Sequence, residues 1–312
     1  MITVRQATEF AKTHFPEAPE KLAKHLGVTV RESPMDGCDG WCLTMGTRTI
    51  IRINGNLSPS RKRFTLAHEL GHLILGVPTV VGESFEDMLG SSSVEERQVN
   101  ELASELLIPT DVAKTSLSDL PVVAAALKKL AKKARISELA AAVRVCNLAS
   151  EIGLVNASAI LFDGDQVRWQ WSKTLEMSNE TAAGLLAESR AAAPQAFRRK
   201  RSQGDVIVAS TIENPYFGSA TLFVQLLPAG VGLNLSRQER RKQLELSLFA
   251  SDAKLQQRMS GLMGAHKPRI VGMTEEQAVA LFWKRNHEKL HSSPINTNEG
   301  REYVRLRISE WF

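Results

Sequence analysis

Apolar residues recur at helical spacing through the first part of the chain, and two prolines interrupt the pattern. A proline inside a helix removes a backbone hydrogen bond, so the pattern predicts two short helices in place of one. Gly27 fits the C-cap of the second helix, and the β-branched residues from Val28 onwards begin a strand. Residues 49–53 predict another strand, which ends at the turn signal Asn54-Gly55.

A third helix is predicted over residues 58–75, because a Ser-Pro pair precedes its apolar pattern and a glycine follows it. Residues 77–93 are acidic and rich in Gly and Ser, and they predict a mobile loop. Further helices are predicted over residues 94–107 and within the Ala-, Lys- and Leu-rich residues 119–152. The first half of the chain is therefore mainly helical, with a small sheet.

The pattern changes near residue 155. Alternating runs at 157–162 and 166–171 flank Asp163-Gly164, which is typical of a β-hairpin. The later predicted elements are a helix at 178–192, strands at 206–209 and 219–226, a charged helical stretch at 236–263, a helix at 274–290 and a short terminal strand. We therefore predict an α+β fold class with a second domain that begins at residue 155.

The bulk composition is that of an ordinary globular protein. A length of 312 residues suggests two domains, and 43% hydrophobic with 23% charged residues is a normal balance. The three cysteines have no disulfide-framework spacing, and we find neither a signal peptide nor a membrane-spanning run. These features predict a cytoplasmic protein with reduced thiols. The net charge of +5 permits contact with nucleic acid without requiring it.

The sequence His68-Glu69-Leu-Gly-His72 carries the clearest chemistry. On a helix, residues four apart lie on one face, so both imidazoles can bind one tetrahedral zinc ion. Glu69 flanks such an ion without binding it, which is the place for the general base that activates a water molecule. The alternative is a pair of partly buried, hydrogen-bonded histidines on an amphipathic helix.

A catalytic zinc site needs a third protein ligand and an open fourth position. The next predicted helix offers four carboxylates: Glu95, Glu96, Glu101 and Glu105. Glu96 and Asn100 lie one turn apart on one face, so Glu96 can reach the metal while Asn100 orients a ligand. Glu95 is the main rival, and a solvated helix face is the ordinary role of any single glutamate here.

Three runs of sequence at defined spacing agree with one family, which makes the resemblance specific. They are Arg63 to His72 (RFTLAHELGH), Glu96-x-x-x-Asn100, and Ala103 to Pro109 (ASELLIP). With the Ile-Arg-Ile-Asn strand ahead of the motif, they make residues 1–155 resemble the ImmA/IrrE metallopeptidases.

The resemblance implies a zincin-like fold, with zinc held by His68, His72 and Glu96 and with Glu69 as the base. It also implies a substrate, because members of this family cut a helix-turn-helix transcriptional repressor and so relieve repression of stress or mobile-element genes. The repressor follows from the resemblance alone; motif spacing by itself indicates only a metallohydrolase.

Cys38 lies in a Gly-rich loop ahead of the metal helix. A thiolate there is a candidate fourth zinc ligand that would occupy the water position and hold the enzyme inactive. An ordinary small loop residue is the alternative.

Residues 127–154 resemble a helix-turn-helix, with a turn at Ile136-Ser137 and six cations. The segment either contacts DNA phosphates or forms a structural helical bundle on the protease. Both interpretations stay open.

The strand order after residue 155 resembles the GAF-like C-terminal domain of the longer family members, which implies a regulatory half. Four consecutive cations in a predicted loop are candidates for contact with single-stranded DNA or a nucleotide: Arg198, Arg199, Lys200 and Arg201. Such charge runs are more often solvated surface. Four aromatic residues either stack on bases or fill the core: Trp169, Trp171, Tyr216 and Phe217.

The sequence thus predicts three parts: a zincin-like metallopeptidase domain at 1–117, a helical segment at 118–154 and a GAF-like regulatory domain at 155–312. The predicted function is zinc-dependent cleavage of a helix-turn-helix repressor, controlled by the second half. Two rivals are a DNA-binding regulator with a structural metal site and a broad-specificity peptidase.

Overall fold

The computed structural model describes residues 2–78, 93–117, 119–202, 204–228, 235, 237–250 and 252–312. The chain divides into two compact units, 1–231 and 232–312. Residues 79–92, the greater part of the predicted mobile loop, lie outside the described residues. Helix and strand both occur, so the α+β class is confirmed.

The first unit begins with two helices and a three-stranded sheet. The elements are α1 (Val4–His14), α2 (Ala18–His25), β1 (Thr29–Ser33), β2 (Gly40–Met45) and β3 (Arg48–Asn54). The strand order is β1-β3-β2, with β1 parallel and β2 antiparallel to the central strand β3. Strand β2 is therefore an edge strand of this sheet, and it packs beside the next helix.

Helix α3 (Pro59–Leu75) carries the histidine motif and has the ends that its sequence predicts. The Ser58 hydroxyl accepts a hydrogen bond from the Arg61 amide at 3.4 Å, and Pro59 occupies the first turn. Gly76 ends the helix in the left-handed conformation, with φ of 69°. Helix α4 (Val94–Leu107) packs directly on α3.

Three further helices extend this layer: α5 (Thr110–Ser116), α6 (Ala124–Ala134) and α7 (Glu138–Asn147). None of the residues of α7 is exposed, and Arg144 donates from inside it to the Ile108 carbonyl at 3.0 Å. The second helix of the predicted helix-turn-helix is therefore a core element. Each of its residues is buried or half-buried, which disfavours its entry into a DNA groove.

A five-stranded antiparallel sheet completes the first unit. Its order is β5-β4-β8-β7-β6, formed by β4 (Asn156–Asp163), β5 (Gln166–Ser172), β6 (Phe197–Lys200), β7 (Val206–Asn214) and β8 (Ser219–Leu227). Helix α8 (Asn179–Ala192) packs on this sheet. The predicted hairpin, helix and strands are all present. The predicted loop at residues 198–201 is wrong, because residues 198–200 belong to the edge strand β6.

The sheet is joined to the helical layer by a buried polar contact. Gln225 of β8 is fully buried, and its amide oxygen accepts from the Val122 amide at 2.9 Å while its amide nitrogen donates to the Val122 carbonyl. Apolar residues of both layers share one hydrophobic core. Residues 155–228 therefore pack within the first unit.

The second unit has its own hydrophobic core and contains four α-helices in its described residues. They are α9 (Arg237–Phe249), α10 (Ala253–His266), α11 (Glu275–Leu290) and α12 (Asn298–Ser309). The predicted terminal strand is wrong, since α12 occupies that segment. The segment 155–312, predicted as one GAF-like domain, is shared between the two units, and its GAF-like character stays a prediction.

Short 3-10 helices lie at Ser150–Ile152, Lys267–Arg269 and Pro294–Asn296. Among the described helices, none is both long enough and apolar enough to cross a membrane.

Candidate metal centre

His68 and His72 meet at one face of α3. Their Nε2 atoms are 3.0 Å apart, and both side chains are almost completely buried. The Nδ1 atom of His68 lies 3.0 Å from the Asn100 side-chain oxygen, and that of His72 lies 3.2 Å from the Val77 carbonyl oxygen. An acceptor at Nδ1 keeps the proton there, so both Nε2 lone pairs face the same point.

Glu96 completes this cluster from the first turn of α4. Its two carboxylate oxygens each lie 3.5 Å from one histidine Nε2 atom, and the ligand atoms of all three residues fall within 4.8 Å of one another. The Oε2 atom is buried and has no hydrogen-bond partner in the described part of the chain. Glu95, the rival from the sequence, is exposed and is not in the cluster.

The electrostatics of the cluster suit a cation. Burial and the neighbouring His72 lower the pKa of His68 to about 3, against the opposing effect of the Asn100 hydrogen bond. This imidazole is therefore neutral at physiological pH, which is the form that binds metal. Burial raises the pKa of Glu96, and the nearby Glu95 charge adds to that shift. A buried carboxylate charge costs free energy, which a bound cation offsets. Two imidazole nitrogens and one carboxylate are a donor set that fits zinc.

Glu69 lies on the side of α3 that faces β2. It is buried, and a Cβ atom built on Gly40 would stand 3.6 Å from its Oε1 atom. Burial raises the pKa of the Cys42 thiol to about 11, and the Glu69 charge adds to that shift. Glu69 thus follows the proposed ligand His68 directly on α3, but its carboxylate is directed toward the edge strand β2.

The other predicted site residues lie elsewhere. Cys38 is half-buried in the loop before β2, and its thiol is not in the cluster. Its backbone carbonyl accepts a hydrogen bond from the Asn54 side-chain nitrogen Nδ2 at 3.1 Å. An inhibitory role for Cys38 stays a prediction.

Three residues of the basic run lie on β6 and Arg201 follows the strand, and the three arginines have contacts within the protein. Arg198 donates to the Ala196 carbonyl, Arg199 pairs with Glu188 at 3.4 Å, and Arg201 pairs with Asp205 at 3.1 Å. Lys200 is exposed. A nucleic-acid role for these residues also stays a prediction.

Sequence reasoning missed two glycines that hold the site together. A Cβ atom on Gly71 would lie 3.1 Å from the Val99 carbonyl oxygen, and one on Gly40 would lie 2.5 Å from the Thr65 methyl carbon. Gly71 therefore lets α4 come close enough for Glu96 to reach the histidines, and Gly40 lets β2 reach Glu69. A glycine inside a predicted helix is the signal that points to Gly71.

Comparison with known proteins agrees with this geometry. Residues 23–145 match the model of the IrrE N-terminal-like domain, peptidase family M78. A protein of Deinococcus deserti named "Radiation response metalloprotease IrrE" is 32% identical over 145 residues, which is 42% of this chain and 52% of that protein. The protein of the same name from Deinococcus radiodurans is 32% identical over 114 residues, or 36% of this chain and 34% of that one.

The chain thus matches about half or less of the length of these relatives. A solved Mycobacterium tuberculosis transcriptional regulator is 14% identical, with a TM-score of 0.44 over 72% of this chain and 74% of that one, and a likeness at this level carries no inference. The residues that match the family model include the histidine motif and Glu96. Residues 23–145 are thus similar to the IrrE N-terminal-like domain of peptidase family M78, and the two named relatives are metalloproteases.

Proposed function

We propose that the protein is a zinc-dependent endopeptidase that cleaves a helix-turn-helix transcriptional repressor and so derepresses stress, DNA-damage or defence genes. The observation that carries this proposal is the buried cluster of His68, His72 and Glu96 with Glu69 beside it. The relatives named as radiation response metalloproteases support a regulatory role.

Among the described residues the cluster offers three ligands, which favours a catalytic site over a structural one. Structural zinc sites are closed by four protein ligands, whereas catalytic sites use three and keep one position open. When bound, zinc supplies a Lewis acid that polarises a peptide carbonyl and lowers the pKa of water. Asn100 and Val77 orient the two imidazoles through their Nδ1 atoms. Glu69 takes a proton from the attacking water and returns it to the leaving amine.

Strand β2 supports a protein substrate. It is the edge strand nearest Glu69, and Leu43 and Met45 on it are exposed. An extended peptide can add to such an edge through main-chain hydrogen bonds, which positions its backbone carbonyl at the active site.

The proposed regulator is the part of the chain after residue 155. Tyr216 and Phe217 are exposed at the turn between β7 and β8, which suits a contact with unstacked bases. Single-stranded DNA or a nucleotide is therefore the proposed signal. The basic run at 198–201 adds to this exposure, although Arg199 and Arg201 are paired within the protein.

Incubation with a co-encoded helix-turn-helix protein tests the proposed function. We expect one specific cut, which a chelator abolishes and added zinc restores. Operator binding by this chain without any cut would favour a DNA-binding regulator, although the buried α7 argues against it. General digestion of casein would favour a broad-specificity peptidase. Either result would overturn the proposal.

A further inference from the structure

A cavity of about 340 Å³ lies within the first unit, between α4, α7 and the end of β5. The residues that give it chemical character are Arg97, Asn100, Glu101, Asn147, Trp171 and Lys173. We propose that this cavity binds a small anionic ligand with a planar ring, of the class of a nucleoside monophosphate, and that its occupancy changes the affinity of the zinc site. The second part of this inference rests on the proposed zinc site.

The charges of the lining favour an anion. Arg97 and Lys173 are exposed, and no ion pair of either side chain occurs among the described residues. Glu101 is the one carboxylate among the residues that line the cavity. Two cations against one carboxylate leave a positive site, and a phosphate group neutralises it.

Trp171 supplies a fixed aromatic wall. Its ring stacks against Trp169, with centroids 6.2 Å apart and planes 15° apart, and its indole N–H donates to the Asn147 side-chain oxygen at 3.0 Å. These contacts hold the ring in one orientation, so a planar ligand ring meets a preformed surface. The volume falls in the range of small-molecule sites, which begins at roughly 300 Å³.

Asn100 connects the cavity to the metal centre. The same side chain lines the cavity and stands 3.0 Å from the Nδ1 atom of His68. Groups that orient a metal-ligating histidine in this way change metal affinity by about 10–100-fold when they are lost. A ligand that moves Asn100 therefore changes zinc affinity, and by reciprocity zinc changes the affinity for that ligand by the same factor.

Calorimetric titration of the zinc-loaded full chain tests the binding step. The probes are AMP, GMP, CMP and UMP, with adenosine and inorganic phosphate as partial ligands. We expect at least one nucleotide to bind at least tenfold more tightly than adenosine or phosphate. Lys173→Glu and Arg97→Gln should each weaken that binding at least tenfold. Lys129→Glu is the matched control for Lys173→Glu, since it makes the same charge change at an exposed position on α6 outside the cavity, and it should have no effect.

Two results would overturn the binding site: no nucleotide binding at millimolar concentration, or binding that neither cavity variant weakens. Because calorimetry needs no protease substrate, these results do not depend on whether a repressor is cleaved. Failure of cleavage with intact nucleotide binding would instead count against the proposed function.

Competition with a zinc chelator tests the connection through Asn100. Saturation with the bound nucleotide should change the zinc Kd at least fivefold, and zinc should change the nucleotide Kd by the same factor. In Asn100→Ala, zinc should no longer change the nucleotide Kd, whatever value that Kd takes. An unchanged zinc Kd in the unsubstituted protein, with the nucleotide bound, would refute the connection.

Discussion

Glu69 is the residue on which the proposed chemistry depends most directly. It is buried next to a metal ligand, and it is not itself in the ligand cluster. Glu69→Gln keeps the shape of the side chain and removes its ability to take a proton. We expect the variant to bind zinc normally and to lose cleavage of the repressor by about 10²–10⁴-fold. Metal analysis and a single-turnover cleavage assay measure the two effects.

Glu95→Gln is the matched control for Glu69→Gln. It removes a carboxylate from the adjacent helix, but that side chain is exposed and outside the cluster. Zinc content and cleavage should both stay within about twofold of the unsubstituted protein. Substantial cleavage by Glu69→Gln would contradict the assignment of Glu69 as the base.

His266 gives the second unit a pH dependence that does not involve the metal centre. It is buried, its Nε2 atom lies 2.9 Å from the Ala278 carbonyl oxygen, and burial lowers its pKa. The unfolded chain, with a histidine pKa of about 6.5, therefore binds the proton more readily than the folded chain does. Stability from this group is complete above about pH 6.5 and declines as the pH falls below it.

Urea unfolding at pH 7.5 and pH 5.5 measures the contribution of His266. We expect His266→Gln to reduce the difference between the two unfolding free energies. His287→Gln, at an exposed position on α11, should leave the difference as it is. An equal difference in His266→Gln and the unsubstituted protein would show that His266 does not titrate on unfolding.

At the residue scale, the sequence allows prediction of those site residues that share a helix. His68, Glu69 and His72 follow from the motif and its helical spacing. The same rule pairs Glu96 with Asn100 on the next helix, but it leaves Glu95 as a rival. The contact of His72 with the Val77 carbonyl was not predictable, because a backbone acceptor leaves no signature in residue type.

At the scale of elements, the approach of α3 to α4 decides whether the cluster exists. Gly71→Ala would put a Cβ atom 3.1 Å from the Val99 carbonyl oxygen and side chain, so α4 must shift by a few tenths of an ångström. We expect zinc affinity to fall about tenfold or more, because displacement of a supporting group acts on the ligand geometry. Competition with a chelator gives the zinc Kd.

Gly184→Ala is the matched control for Gly71→Ala, because it makes the same change on α8. A Cβ atom there meets no atom within 4 Å. Removing a helix glycine should stabilise the protein by about 0.5–1 kcal/mol and leave zinc affinity unchanged. If Gly71→Ala bound zinc as tightly as Gly184→Ala, the close approach would not limit the site.

Two elements show why local pattern fails where tertiary contacts decide. The consecutive cations at 198–200 predict a solvated loop, but they lie on the edge strand β6. This strand pairs on one side only, with Phe197 opposite Ala209 of β7, so its other side can carry charged residues. Val304, Leu306 and Ile308 alternate like a strand, but the buried positions Gly300, Val304 and Ile308 repeat every four residues, as on a helix.

At the scale of the whole molecule, the hydrophobic cores determine which segments of the chain belong to the same compact unit. The composition change at residue 155 predicts a boundary there, yet Ala157 and Phe223 of the large sheet share a core with Leu127 and Leu130 of α6. Such sharing joins elements distant in sequence, so composition along the chain cannot reveal it. The second unit has a separate core, which includes Phe282 and Val304.

Separate cores predict that damage to the second unit leaves the metal centre intact. A Cβ atom on Gly300 would lie 2.4 Å from the backbone of Ile295, a contact that no side-chain movement relieves. We expect Gly300→Ala to destabilise the second unit by about 2 kcal/mol or more while the zinc Kd stays unchanged. Gly264→Ala is the matched control, since its Cβ atom meets open space on α10, and it should not destabilise. Hydrogen exchange resolves the two units, and faster exchange confined to residues 237–312 is the expected result. A lower zinc affinity in Gly300→Ala alone would mean that the metal centre depends on the fold of the second unit.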